Sequence, residues 1–258
     1  MTPPKTPPTS YGVLLYPGFE VLDVAGPIEC LNTLTDELAD SKLTLSVIGR
    51  PVDSDQGVQQ VPAAVSPANP GSGPPERPTP TDGFRFQSAQ VYQPTHTFDT
   101  APPLDVLIIG GGWGSLPTDK VAPEMAFLAR TFPSLRHLFT VCTGSAVAAS
   151  AGVLDGLAAT SNKAAWKQVT ACGPRTRWVA RARWVVSGKV WTSSGVSAGM
   201  DGMIAFLREQ YAEEHYPGLI DRIANNMEYT YEADPSNDPF ADVFGAQDVA
   251  PQGSDELS

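Results

Sequence analysis

The residues best placed for chemistry lie in His137-Leu-Phe-Thr-Val141-Cys142-Thr143-Gly144-Ser145-Ala146-Val147-Ala148-Ala149. An apolar run with the character of a strand meets a cysteine, and small residues follow where a tight turn must bring the next helix close. This is the thiol counterpart of the nucleophile elbow. At a helix N-terminus, backbone N–H groups and the helix dipole favour thiolate. The expectation is therefore a lowered pKa for Cys142 and a reactivity above that of Cys30 and Cys172. The plainer alternative is a buried structural cysteine, a common fate for free thiols.

A second signal is Gly110-Gly111-Gly112-Trp113-Gly114, which follows another apolar run. Glycines there let backbone N–H groups face a neighbouring site and could form half of an oxyanion hole; ordinary tight-turn glycines are the alternative. A dinucleotide-binding loop does not fit, because the third glycine it requires falls on Ser115 or Pro117. Acidic partners are available in Asp23, Glu20 and Asp201, although acids are also common in the first turn of any helix. His96, His137 and His215 are scattered, so neither a zinc pattern nor a local Cys–His pair is evident. Trp166, Trp178, Trp184 and Trp191 read as packing residues. Trp113 is the exception, because it adjoins the glycine loop.

These groups need elements to carry them. Tyr11–Tyr16 is a short apolar run that predicts a buried strand, and Leu43–Ile48, Asp105–Ile109 and Leu138–Val141 predict three more. Val21–Leu34 has apolar residues at helical spacing, with Pro27 in its first turn or kinking it. Ala146–Ala151 predicts a helix directly after the cysteine. Trp178–Val186 and Lys189–Thr192, joined by Ser187-Gly188, predict a hairpin arm. Ser197 is expected to cap a helix reaching Tyr211, and Pro217 to start another ending near Tyr231. Strands alternating with helices at this spacing predict a mainly parallel sheet covered on both faces.

The chain has 258 residues, enough for one large domain with a sizeable core. Eleven of its 25 prolines lie between Pro51 and Pro103, and residues 51–84 read as a flexible Pro-rich insertion within the domain rather than a linker. Residues 1–10 read as a disordered start. The net charge is −11, and the eight acidic residues after Ile223, with no Lys or Arg among them, account for most of it. Residues 234–258 therefore read as an acidic tail. No basic stripe is available for nucleic acid. No apolar run of roughly 18 residues suits a membrane span, and no signal peptide is visible. Three sparse cysteines argue against a disulfide framework and suit a reducing compartment, so the chain is expected to be cytoplasmic.

Taken together, five ordered motifs resemble the ThiJ/PfpI (class I glutamine amidotransferase-like) superfamily, and within it the isonitrile hydratase branch. They are Leu15-Tyr-Pro-Gly-Phe-Glu-Val-Leu-Asp23-Val-Ala-Gly-Pro27, Leu104-Asp-Val-Leu-Ile-Ile-Gly-Gly-Gly112, Val141-Cys-Thr-Gly-Ser145, Ala151-Gly-Val-Leu-Asp-Gly-Leu-Ala-Ala-Thr160 and Ser194-Gly-Val-Ser-Ala-Gly-Met-Asp201. The resemblance implies a flavodoxin-like three-layer α/β sandwich over residues 11–233. It implies Cys142 as nucleophile, Asp23 as the carboxyl group beside it and Thr143 as support for an oxyanion region. Gly111, Gly112, Trp113, Gly195 and Val196 would line the substrate site, with Glu20, Asn162 and Asp201 as secondary candidates. It further implies a homodimer acting on a small molecule without metal or organic cofactor. Thr143 stands where the protease branch has histidine, and Asn162 where many relatives have one. These departures favour cysteine-plus-carboxyl hydration, isonitrile to N-formamide, over proteolysis or amide transfer. A glyoxalase-like or biosynthetic tailoring activity, or a non-enzymatic cysteine sensor, is the alternative.

Overall fold

The computed structural model describes residues 6–38, 41–51, 61–62, 90–116 and 118–252. Most of the expected Pro-rich insertion at 51–84 lies outside the described residues.

The chain begins in the middle of its sheet. Strand β1 (Ser10–Leu14) is followed by helix α1 (Val21–Glu37), which returns the chain to β2 (Thr44–Gly49), parallel to β1 on one side. A two-residue pair, β3 (Val61–Pro62) with β4 (Val91–Tyr92), stands apart, and β5 (His96–Thr97) extends the sheet beyond β2. The chain then crosses back to β6 (Val106–Ile109) on the other side of β1. Helix α2 (Ala122–Thr131) leads to β7 (His137–Val141), and α3 (Gly144–Ser150) follows at once. After β8 (Ala158–Ala159), α4 (Trp166–Cys172) and β9 (Arg177–Trp178), the antiparallel hairpin β10 (Trp184–Ser187) and β11 (Val190–Ser193) completes the order β10-β11-β7-β6-β1-β2-β5. Helices α5 (Val196–Gln210), α6 (Leu219–Asn226) and α7 (Phe240–Val243) close the fold. Every pairing in the seven-stranded sheet except β10–β11 is parallel.

β6 and β7 are buried along their whole length, which explains why they read as unbroken apolar runs without alternation. Helix α1 packs with α5 and α6, and α3 with α2 and α4, so two helical layers flank the sheet. The strand order reverses between β1 and β6, where crossovers leave in opposite directions. In open α/β sheets that switch point, at the carboxyl ends of the strands, is where the crevice forms. The segments that follow β1, β6 and β7 all emerge there.

Three local expectations change. Ser197 lies inside α5, whose N-cap is Gly195 with no side-chain cap, because the backbone has already entered the helix at Val196. Residues 6–10 are anchored: Arg136 donates to the carbonyls of Thr6 and Pro7, and Thr9 N–H to Asp105 at 2.8 Å. The acidic segment, although most of its residues are exposed, is docked at several points between 234 and 252. Gln247 O accepts from the Trp166 indole (2.8 Å), Asp248 accepts from Ala180 N–H (2.7 Å), and Val249 pairs with Trp178. Net charge concealed this, because docking depends on where backbone groups and a few buried side chains find partners.

Candidate active site

Cys142 follows the last residue of β7 and has φ of 57°, the left-handed region that a non-glycine residue adopts only when its surroundings impose it. Both of its backbone groups are clamped. Its N–H faces the carbonyls of Ser194 (2.8 Å) and Ser193 (3.2 Å), and its carbonyl accepts the hydroxyls of Ser161 (2.8 Å) and Ser145 (3.0 Å). The elbow is thus held by the end of β11 and by the segment after β8.

The loop after β6 closes against it. Gly111 runs between α1 and the elbow so tightly that a β-carbon there would lie 2.5 Å from Thr143 N, 2.8 Å from Asp23 Oδ2 and 2.8 Å from Cys142 Cβ. Gly112 has φ of 128°, where a β-carbon would also strike Gly18 O at 2.4 Å. Glycine is needed for clearance at the first and for conformation at the second. Thr143 ties loop to elbow: its Oγ1 accepts Gly112 N–H at 2.9 Å, lies 2.9 Å from Ser115 Oγ and 3.1 Å from Gly112 O. Trp113, half-buried, opens the short 3-10 turn Trp113–Ser115 that this lock holds.

Asp23 sits in the first turn of α1 and is fully buried. Oδ2 accepts Gly111 N–H at 2.8 Å, while Oδ1 has no hydrogen-bond partner of ordinary geometry. Burial pushes the carboxyl up to about 7; the Gly111 N–H opposes the shift, Glu20 adds to it and the Cys142 thiol pulls back. The expected lowering of the Cys142 pKa does not occur. Burial first, and the Asp23 carboxyl second, drive the thiol well above its ordinary range, and the Thr143 N–H and the Asn162 side chain only partly offset them. The helix terminus is present, but desolvation outweighs it because Cys142 is only 7% exposed. Cys30 is pushed up to about 12 by burial, and Cys172, the partly exposed thiol, is also raised.

The remaining candidates divide. Asn162 reaches Cys142 through its side chain, while its Oδ1 accepts Ala164 N–H at 2.9 Å. Gly195 leaves room for it, since a β-carbon there would come 3.3 Å from Asn162 Nδ2, and Val196 begins α5 beside it. Glu20 is half-buried and anchored through its N–H to Gly111 O at 2.7 Å; its carboxyl, raised by burial, bears on Asp23. Asp201 is committed elsewhere: Oδ2 pairs with Arg183 at 2.5 Å, and Oδ1 accepts Tyr229 OH at 2.6 Å and Glu232 N–H at 3.1 Å. It braces α5 against the C-terminal segment and is no alternative partner for the thiol.

Sequence reasoning passed over Tyr16, whose hydroxyl donates to Gly110 O at 2.6 Å, and Ser115, Ser145, Ser161 and Lys163 around the elbow. A hydroxyl three residues after Cys142 was the one visible clue; the others converge only in the fold. Among the described residues no group of three His, Cys, Asp or Glu side chains could hold a metal ion, and no helix is long and apolar enough to cross a membrane.

Comparison with known proteins gives a consistent picture. The model of the DJ-1/PfpI family matches residues 12–209. The chain is 26% identical over 201 residues to isonitrile hydratase of Pseudomonas putida, covering 77% of this chain and 70% of that protein. It is also 26% identical over 216 residues to the HTH-type transcriptional regulator GbdR of Pseudomonas aeruginosa, covering 82% of this chain but only 49% of the regulator, about half its length. Among solved structures, a ThiJ/PfpI family protein from Pseudomonas syringae superposes with a TM-score of 0.64 at 23% identity, over 92% of this chain and 81% of that one. Drosophila melanogaster DJ-1beta does so with a TM-score of 0.61 at 15% identity, over 86% of this chain and 100% of that one. These two similarities bear on the fold alone.

Proposed function

The chain belongs to the DJ-1/PfpI family, and from that footing we propose that it is a cysteine-dependent hydratase of a small electrophilic substrate, converting an isonitrile to an N-formamide. The observation that carries this reading is the buried pair: Asp23 and Cys142 meet across Gly111, with an acid that titrates near neutrality and no histidine in the constellation.

The pKa order sets the resting state. Above about pH 7 the pair rests as Asp23 carboxylate and Cys142 thiol. As sulfur bonds to the terminal isonitrile carbon, Asp23 takes the thiol proton and delivers it to that same carbon, giving a thioimidate. Water then adds to this carbon, with Asp23 receiving a water proton and passing it on. The C–S bond breaks, the thiol is restored and N-formamide leaves. One water is consumed and no redox change occurs. Gly111, Gly112 and Thr143 hold the loop that faces the developing charge, with Trp113, Gly195 and Val196 beside the substrate. The expected cytoplasmic homodimer, acting without metal or organic cofactor, remains part of the proposal; sedimentation of the purified chain tests the dimer.

The test is a panel of isonitriles and 2-oxoaldehydes on wild type and Cys142→Ala. Formamide release that vanishes in Cys142→Ala supports the hydratase. Lactate from methylglyoxal with no formamide would replace it by a glyoxalase. The match to the GbdR regulators favours a second reading, a ligand- or redox-sensing domain. Stoichiometric modification of Cys142 without turnover of any panel member would support that one.

A further inference from the structure

The Lys163 ammonium and the Asp238 carboxylate face each other at 3.1 Å with neither side chain exposed. Burying an ion pair is costly unless hydrogen bonds satisfy its remaining groups, and Lys163 is richly supplied. Its Nζ lies 2.8 Å from Ser161 O, 2.9 Å from Thr160 Oγ1, and 3.0 Å from both Ala182 O and Ser194 Oγ. Two of these acceptors belong to the residues that clamp Cys142. Ser161 donates its hydroxyl to Cys142 O, and Ser194 gives its carbonyl to Cys142 N–H. Asn162, whose side chain reaches the thiol, lies between Ser161 and Lys163.

We propose that Lys163, held in place by Asp238 of the docked C-terminal segment, is a positioning residue for Cys142. One ammonium ties together the segment after β8 and the segment after β11, which between them grip both backbone groups of a cysteine held at positive φ. Such a backbone persists only where its surroundings over-determine it. The segment that looks like a solvated tail thus supplies the anchor of the elbow. Arg183 N–H to Pro235 O at 2.6 Å fastens that segment on one side of Asp238, and the contacts of Gln247, Asp248 and Val249 fasten it on the other.

The ammonium has an electrostatic consequence as well. Burial lowers the Lys163 pKa, while Asp238 and Cys142 both act to keep it charged and Arg183 opposes them. By reciprocity a charged Lys163 favours the Cys142 thiolate, against the adverse influence of Asp23; Tyr16 is the other titratable group facing the thiol.

The test reads Cys142 directly, so its outcome is separable from that of the hydratase reading. Iodoacetamide alkylation of Cys142 is followed by peptide mapping across pH, in wild type, Asp238→Asn, Asp248→Ala and the double variant Lys163→Met/Asp238→Leu. Replacing a buried pair by apolar groups of similar size usually preserves folding, so the double variant keeps the test open if Asp238→Asn fails to fold. Loss of the ammonium in the double variant should slow alkylation roughly tenfold at fixed pH, a midpoint about one pH unit higher. Asp238→Asn should do the same because Lys163, without the carboxylate that keeps it charged, gives up its proton. Asp248→Ala loosens the same segment away from Lys163 and should stay within about twofold of wild type. Lys163→Arg, which keeps the charge, should recover part of the loss. An unchanged profile in the folded double variant, or an equal shift in Asp248→Ala, overturns the proposal.

Discussion

Asp23 Oδ2 and Cys142 Cβ flank Gly111, each 2.8 Å from the place a β-carbon on that glycine would occupy. Acid and thiol are therefore held together by the absence of a side chain between them, and both are buried.

Asp23→Asn should leave Cys142 in place yet lower turnover on the best substrate by on the order of 10²–10⁴, the usual range for general acid–base catalysis. The wild-type kcat/KM should rise with pH through about 7, as Asp23 becomes the carboxylate that accepts the thiol proton, and the variant should lose that limb. Glu20→Gln should cost much less, since Glu20 bears on Asp23 and not on the thiol. Near-wild-type turnover in Asp23→Asn would rule out the paired mechanism.

The same carboxyl predicts a pH dependence of stability. Its folded pKa lies near 7, above the unfolded value near 4, so between these the native state binds more protons than the unfolded state. The contribution is fully present below about pH 4 and is lost as pH rises through about 7. On the order of 4 kcal/mol is at stake, and Asp23→Asn should remove that slope. Urea unfolding of both proteins between pH 5 and pH 8, at constant ionic strength, is the measurement; parallel curves would contradict the assignment.

Thr143→Val keeps the shape but deletes the oxygen that accepts Gly112 N–H and contacts Ser115. A buried N–H left unpaired costs about 1–3 kcal/mol, so melting temperature and kcat should fall together. Thr143→Ser restores the acceptor and should recover most of both. A fully active, fully stable valine variant would show that the lock is dispensable.

Gly111→Ala should be far more damaging than Gly195→Ala. The first places a methyl group against Thr143 N and drives Asp23 from Cys142, while the second meets only the movable Asn162 amide at 3.3 Å. Overpacking of that kind costs about 1–3 kcal/mol, with a loss of turnover beyond what the stability change explains. Thermal melts and kinetics on both variants decide it.

Much of the molecule was legible in the sequence because its signals are local. Unbroken apolar runs marked β6 and β7, since strands buried on both faces need no polar alternation, and shorter apolar stretches marked β1 and β2. The small residues after Cys142 marked an elbow, because only they let a helix start so close to the sheet. That Asp23 stands beside Cys142 came from the resemblance of motifs, as nothing in spacing joins residues more than a hundred positions apart. What the tertiary structure decided were the balances. Sequence shows a helix N-terminus that should acidify Cys142, but burial and the neighbouring carboxyl reverse the sign, and both exist only in the packed state. Asp201 looked free to act until Arg183, Tyr229 and Glu232 converged on it. Residues 234–258 read as an acidic tail, yet one of them, Asp238, finds a buried lysine 75 positions earlier. Propensity and periodicity report what a few neighbouring residues prefer. Desolvation and ion pairing depend on which distant groups exclude water from one another, and only the fold determines that.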